Sequence, residues 1–519
     1  MCVRSNGGWE ERMRDAMSDA RERLRTTWPL WVLIALGTLL RTYGALVHPV
    51  DQDEIYTVME SRDLFHTALQ PGIQSRPLYY LVQHALFWVT PEREPYTRLL
   101  PLLAGAFGLW LVARLTLRLA GKEAAIVATA VAALSPWHAY ASETARYYGV
   151  VFALVTASYL LLLRALASDA RADWLRAAMP VSVGLLVHPS FALTMAVPCA
   201  LALLRQRARP SGWGFPTAAR LVGFVLPCAL AMGALLVSVR VAARHDGAGN
   251  GGARALEANL RLLPAIVEWA SPVLVVAGLI GLWLAWQATS RTSQPTGSST
   301  ANLSPRDTRR EEQRDALLLL ALGGASSVLF VVAAAAVTAT YADYAVGLLP
   351  TLFVGAGLLA ATLAPGVRPW LAAVLCGALA PSLASHVIDG TRFDYRPAFN
   401  AIRQTDAKAL TLVWPEATAQ HYAPDLRLAP LAHSIASLDS LLMREGRVVA
   451  VASFKRFGLA TTGARGLDRW LTKNCHTLQE FERPRFDVRV YRVTLLRCER
   501  ALRSPLSHEP VLEGANGRG

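Results

Sequence analysis

Apolar residues along this chain come in long unbroken blocks separated by short segments in which arginine collects. A soluble core would instead show alternation or 3.6-residue spacing in shorter runs. A helix must cross ~30 Å of hydrocarbon, which takes ~20 mostly apolar residues. Residues 28–47, 99–117, 264–286 and 316–337 each meet that length. The pattern therefore specifies an α-helical polytopic membrane protein and excludes a soluble enzyme. Residues 77–89 are apolar but only about thirteen long, too short to span, and read as an interfacial helix.

The basic clusters set the expected orientation. Arg12, Arg14, Arg21, Arg23 and Arg25 precede the first block and place the N-terminus in the cytoplasm. Inner loops are then marked by Arg114, Arg118 and Lys122, by Arg164, Arg171 and Arg176, by Arg205, Arg207 and Arg209, and by the Arg309-Arg310 pair. This alternation closes with about eleven transmembrane helices, residues 48–96 forming the first outer loop. Counting 77–89 as a span would move every later basic loop to the wrong side. No small-residue cleavage site follows the first block, which ends in Arg41, Thr42 and Tyr43, so it is expected to remain as an anchor.

Composition shifts after residue 388, where charge returns. Short β-rich runs at 409–414, 448–454 and 488–496 there alternate with helical stretches at 396–404 and 467–473. The expected organisation is a cytoplasmic arm, 1–27, a transmembrane domain, 28–388, and a small extracytoplasmic α/β domain, 389–519. The Ser/Thr-rich stretch 289–315 reads as a cytoplasmic linker.

Overall composition adds little to this picture: 53% hydrophobic residues and a mean hydropathy of +0.30 fit a membrane chain. The net charge of +14 would suit nucleic acid, but it is dispersed between apolar blocks, so no nucleic-acid partner is expected. Of six cysteines, Cys199, Cys228 and Cys376 lie in apolar blocks and read as packed hydrophobes. Cys475 and Cys498 fall in the polar C-terminal region, where an oxidising compartment would allow a disulfide.

Candidate chemistry begins in the first outer loop, HPVDQDEIYTVMESRDLF, whose Asp51, Asp53 and Glu54 follow closely on a span. A hydrated acidic loop would give the same string. Its neighbours change the reading: RPLYYLVQHALFW from Arg76, TRLLPLLAG containing Arg98, and LSPWHAYASETARYYGV containing Glu143, Arg146, Tyr147 and Tyr148. In this order the set resembles the first module of the GT-C membrane glycosyltransferases, in particular the bacterial protein-mannosyltransferase-like and aminoarabinose-transferase-like families. Those families carry an Asp-Glu pair after the first span, a Pro-Leu-Tyr-Tyr interfacial helix, an Arg-Leu opening the second span, and a Glu-Ala-Arg-x-Tyr motif at the outer end of the third. Here Thr144 stands between Glu143 and Ala145. The resemblance covers about the first third of the chain.

The resemblance implies transfer of a sugar from a polyprenyl-phosphate donor in the membrane lipid to an acceptor glycan, lipid or protein at the outer face of the cytoplasmic membrane. Such chemistry needs a base within about 3 Å of the acceptor proton and cations at the departing phosphate. The match places Asp53 as the general base or acceptor-binding group and Glu54 as its support, or as a ligand should a divalent cation take part. No cofactor is otherwise implied, and no metal-binding set stands out in the sequence. Glu143 is a further catalytic candidate. Arg76, Arg98 and Arg146 are donor-phosphate candidates, and Tyr56, Tyr79, Tyr147 and His188 substrate-binding candidates. Structural roles compete with these: a snorkelling Arg76, an ion pair between Glu143 and Arg146 three residues apart, and His188 as a polar tip. The chain also departs from the family at TYADYAVGLLP, around Tyr344, which lacks the usual arginine. Arg240, Arg244, Arg254 or Arg261 would have to supply that cation.

A transporter or flippase of a lipid-linked or cell-envelope substrate is the competing class. It would bury ionisable groups near the midplane and break helices in matched halves, whereas the acidic groups here gather in outer loops. An inactive relative that uses its outer domain for binding is a third reading, and the intact Asp53-Glu54 pair argues against it.

Overall fold

The computed structural model describes residues 7–64, 76–91, 95–205, 213–243, 255–290, 305–335, 342–392, 394–414, 416–430, 435–454, 471, 475–484 and 490–499. The chain divides into two compact units between Arg392 and Phe393. The first is helical. Among the described residues eight helices are long and apolar enough to cross a membrane: Thr27–Val47, Tyr96–Ala120, Tyr148–Ser168, Ala218–Ser238, Pro272–Ser290, Arg309–Ala334, Ala342–Thr362 and Arg368–Asp389. A ninth is made by Lys122–Leu134 and Pro136–Glu143, bent by 61° where they meet. The protein is a multi-pass membrane protein. Eleven crossings would require Arg171–Val187 and Pro189–Leu204 as well, and these have 17 and 16 residues, short of the usual length.

Two expected spans are modified by local backbone chemistry. The block 264–286 is not one span, because helix Ala255–Ala270 stops at Ser271, whose φ of 72° is incompatible with helix, and a new helix starts at Pro272. The third span breaks at Ser135, whose hydroxyl accepts a hydrogen bond from the His138 amide and caps the second half-helix. A break in a span frees backbone carbonyls that lipid cannot hydrate. Arg41, buried in the first span, donates to the carbonyls of Ala132 at 2.9 Å and Ala133 at 2.9 Å, and to Nδ1 of His138 at 3.0 Å. The first span thus stabilises the bend in the third.

Large apolar side chains such as Leu39, Leu279 and Trp370 face outward and remain exposed, as a lipid-facing surface requires. The interior is built around Ala342–Thr362, and close helix approach there depends on small residues. A Cβ on Gly281 would lie 1.9 Å from the Gly355 carbonyl oxygen, so the backbones of helices Pro272–Ser290 and Leu349–Thr362 touch directly. Pro77–Phe87 is an 11-residue helix that buries Tyr79, Tyr80 and Gln83 and leaves Leu81, Trp88 and Val89 exposed. It is too short to cross.

The second unit carries a five-stranded mixed sheet: β1 (Leu410–Trp414), β2 (Leu428–Pro430), β3 (Arg447–Phe454), β4 (Cys475–Pro484) and β5 (Val490–Glu499), in the order β2-β1-β3-β5-β4. β1 runs parallel to β2 and β3, the crossovers being helices Glu416–Tyr422 and Ile435–Glu445, while β5 runs antiparallel to β3 and β4. Three of the strands and helix Arg396–Thr405 fall where the β-rich and helical patterns put them. β2 and β4 carry too few alternating apolar positions to stand out. The expected helix at 467–473 and most of the linker 289–315 lie outside the described residues.

Cys475 and Cys498 face each other across β4 and β5 and form a disulfide with Cα atoms 4.2 Å apart. Closing a loop of 23 residues restricts the unfolded chain and is worth about 3 kcal/mol. Replacing both cysteines by serine is therefore expected to lower this unit's unfolding free energy by about that amount. Denaturant unfolding with and without reductant checks it, and identical curves for oxidised and reduced protein would contradict it.

Candidate active site

One end of the helical unit gathers the charged residues that the bundle interior excludes. The first span ends at Val47, and Asp51 caps the next helix, Gln52–Arg62. The Asp51 side chain accepts from the Gln52 amide, while the Glu54 carboxylate reaches back to the Asp51 amide at 2.9 Å, completing a capping box. Glu54 is therefore turned inward, while Asp53 beside it stays half-buried.

Glu54 is a hub. Arg98 grips it with two hydrogen bonds, Nε to Oε1 at 2.9 Å and Nη2 to Oε2 at 3.0 Å. The Ala145 amide donates to Oε1 at 2.6 Å, and Arg392 stands 3.7 Å from Oε2. Arg98 also donates to the carbonyls of Ala45, His48 and Pro49, at 3.0, 2.9 and 2.9 Å. All five of its N–H groups are thus used inside the chain. Burial alone would raise the Glu54 carboxyl, but Arg392 and Arg98 bring it down to about 2. The first loop, the start of the second span and the end of the third are locked together by one ionised carboxylate.

A second cluster surrounds Tyr147. The Arg76 guanidinium lies 4.6 Å from its ring centroid and that of Arg146 5.1 Å. His188 stacks on the same ring at 3.9 Å, Tyr79 meets it edge-on at 6.0 Å, and Tyr344 stands 5.1 Å from His188. Arg146 also donates to Thr57 Oγ1 at 3.0 Å and to the Asp53 carbonyl at 3.3 Å, which brings the aromatic cluster against the helix bearing Asp53. Yet Nε of Arg76, Nε of Arg146 and the hydroxyl of Tyr79 are buried with no hydrogen-bond partner among the described residues. Neither guanidinium has a carboxylate within ion-pairing distance among them. Buried donors left unmatched cost about 1–3 kcal/mol each, and two such cations beside a phenol are suited to hold an anion.

His188 caps helix Pro189–Leu204 by accepting the Ser190 amide on Nδ1 at 3.1 Å. A neutral ring then carries its proton on Nε2 and can donate. Tyr56 is half-buried, one turn beyond Asp53 on the same helix.

The expected pairing of Glu143 with Arg146 is not found. Helix Pro136–Glu143 ends at Glu143 and Thr144 is extended, with φ −97° and ψ 131°, so the two side chains do not share a helical face. Glu143 instead meets His48, Nδ1 to Oε1 at 3.2 Å, and His386 on the same oxygen. The inserted Thr144 accepts from Arg392 Nη2 at 2.6 Å. Arg392, His48 and His386 escaped the sequence reading. The one available signal was that each sits at the same end of a span as Asp53. Arg244 and Arg254, and the side chains of Arg240 and Arg261, lie outside the described residues.

No sequence-family model and no curated protein sequence matches the chain. Among solved structures it is similar to ArnT from Cupriavidus metallidurans in the apo state, at 12% identity over 91% of this chain and 98% of that one, TM-score 0.56. The structure of ArnT bound to undecaprenyl phosphate matches at 13% identity over 90% and 98%, TM-score 0.55. The chain has the ArnT fold. An Archaeoglobus fulgidus oligosaccharyltransferase tethered with an acceptor peptide matches at 9% identity over 90% of this chain and 74% of that one, TM-score 0.50. The architecture is thus the one shared by these solved structures. At these identities the likeness is one of fold, and the chemistry has to be argued from the residues.

Proposed function

We propose that this protein transfers a sugar from a polyprenyl-phosphate-linked donor to an acceptor on the extracytoplasmic side of the membrane. The observation that carries this reading is the pair of guanidiniums of half-buried Arg76 and buried Arg146, each with an unmatched Nε and with no carboxylate in ion-pairing distance among the described residues, beside the helix of Asp53. In the ArnT-type fold, for which a structure bound to undecaprenyl phosphate exists, such a pair of cations suits the phosphate of a lipid carrier.

In the reaction, the acceptor oxygen bonds to the anomeric carbon and the bond from that carbon to the phosphate oxygen breaks. Its electron pair leaves with the polyprenyl phosphate. Asp53, half-buried beside Arg146, takes the acceptor proton. Arg76 and Arg146 offset the charge that grows on the phosphate, and Tyr79 and the Nε2–H of His188 supply further donors. Tyr56 offers ring surface and a hydroxyl to the sugar, while Tyr147, its ring covered by His188 and the two guanidiniums, holds those cations in place. Glu54 and Arg98 hold the loop in place, since the donors of Arg98 are already engaged. Glu143 acts from behind the Asp51–Glu54 turn through His48 and His386.

The reading also places the N-terminus in the cytoplasm and the second unit outside, where an oxidising compartment would keep the Cys475–Cys498 bridge formed. Purified protein in lipid, supplied with radiolabelled polyprenyl-phosphate sugars and membrane acceptors, is expected to release free polyprenyl phosphate as label moves to acceptor. Movement of the intact donor or of a solute across the bilayer, with no transfer, would instead identify a transporter.

A further inference from the structure

We infer that His48, Glu143 and His386 form a binding site for one divalent transition-metal ion of the zinc class, joining the ends of the first, third and last spans behind the Asp51–Glu54 turn. The three residues come from separate segments: His48 follows helix Gly7–Val47, Glu143 ends helix Pro136–Glu143, and His386 is in the last turn of helix Arg368–Asp389. All three are buried, at 4%, 1% and 1% exposure, and one ligand atom from each lies within 4.8 Å of the others.

Hydrogen bonding at the far side of each ring shows why a cation fits. His48 Nε2 is 3.1 Å from the Val387 carbonyl oxygen, which can only accept, so Nε2 carries a proton. In a neutral ring Nδ1 is then a lone pair, and it points at Glu143 Oε1 from 3.2 Å. His386 is tethered through Nδ1 to Thr391 Oγ1 at 2.7 Å, and its Nε2 is turned to the same carboxylate oxygen while making no hydrogen bond of acceptable geometry. Two ring nitrogens and a carboxylate oxygen thus converge on one point. Without a positive centre between them, the lone pair of a neutral His48 Nδ1 and those of Glu143 Oε1 repel. Imidazoles that ligate a metal are held in this way, through the second nitrogen by a carbonyl or hydroxyl.

Two imidazoles and one carboxylate are a donor set typical of zinc with a further position open. The surrounding backbone gives way to it. A Cβ on Gly44 would lie 1.6 Å from Glu143 Oε2, and one on Gly390, at φ +68°, would lie 2.5 Å from Cγ of His48. The His48 carbonyl accepts from Arg98, so the ion would help fix the loop that Arg98 and Glu54 hold. This inference stands independently of the transfer reaction.

The competing occupant is a proton, making one imidazole an imidazolium paired with Glu143. The test is elemental analysis of full-length protein purified without a polyhistidine tag, with cobalt(II) spectroscopy after chelation and reloading. Close to one zinc per chain and a cobalt-dependent visible absorption are expected, retained in Asp53→Asn and lost in His386→Ala and His48→Ala. Wild-type protein that holds no metal after growth with zinc, and gives no visible absorption with cobalt, would overturn the site and leave the protonated cluster. Metal retained at one equivalent in both folded histidine variants would overturn it equally. Because the wild-type spectrum needs no variant, the test survives a substitution that fails to fold.

Discussion

Asp53→Asn is expected to lower the rate of sugar transfer by about 10²- to 10⁴-fold, the usual contribution of a positioned proton acceptor, while leaving the unfolding temperature near that of wild type. The amide has nearly the shape of the carboxylate but accepts a proton far less readily. Asp53 is half-buried on a helix whose cap is made by Asp51 and Glu54, so its own substitution leaves the capping box in place. Single-turnover transfer from a radiolabelled donor, read beside thermal unfolding, separates the two effects. Transfer at the wild-type rate in a well-folded Asp53→Asn protein would remove Asp53 from the chemistry. An equal fall in rate and stability would assign it a structural role.

The second large effect is expected one residue on, with the readouts reversed. Glu54→Ala leaves Arg98 buried with two donors unmet and removes the acceptor of the Ala145 amide. Breaking a buried pair from one side costs about 3–5 kcal/mol. Unfolding in detergent measures this, and a loss under about 1 kcal/mol would mean that Arg98 finds other partners. Acid should act on the same interaction. The Glu54 carboxyl is held at about 2 against an ordinary 4.5, so the folded state binds its proton less readily than the unfolded one. The stability it contributes is fully present above pH 4.5 and is lost as pH falls through about 2. In the Glu54→Ala protein that part of the acid sensitivity should disappear.

Adjacent residues with opposite expected behaviour show what a linear motif leaves open. The string DQDE marks a carboxylate pair but not which member faces the interior. The decision lies in the spacing of Asp51 and Glu54, Asp-x-x-Glu, which reads as a capping box and turns Glu54 toward the helix start. Hydrophobic blocks, their polar separators and the short interfacial helix were legible because lipid demands length and apolarity from a span. Breaks at Ser135 and Ser271 were less so, since both lie within apolar runs and the first is stabilised by a distant partner, Arg41. The same holds for the candidate site. Arg76, Arg146 and Tyr147 appear in a local motif, and the structure brings them together. The triad of His48, Glu143 and His386 joins residues 338 positions apart in the case of the two histidines, and Glu143 is drawn from Arg146 by the single inserted Thr144.

The account rests on the claim that Arg76 and Arg146 hold the phosphate of a lipid carrier. Titration of undecaprenyl phosphate into the protein in nanodiscs, by a direct binding assay, tests it without knowledge of sugar or acceptor. Saturable one-to-one binding is expected, weakened about ten- to a hundredfold in Arg76→Gln and again in Arg146→Gln, as the loss of a charge-assisted contact worth about 1.5–3 kcal/mol requires. Binding of undecaprenyl phosphate by the folded double variant as tightly as by wild type would contradict the claim.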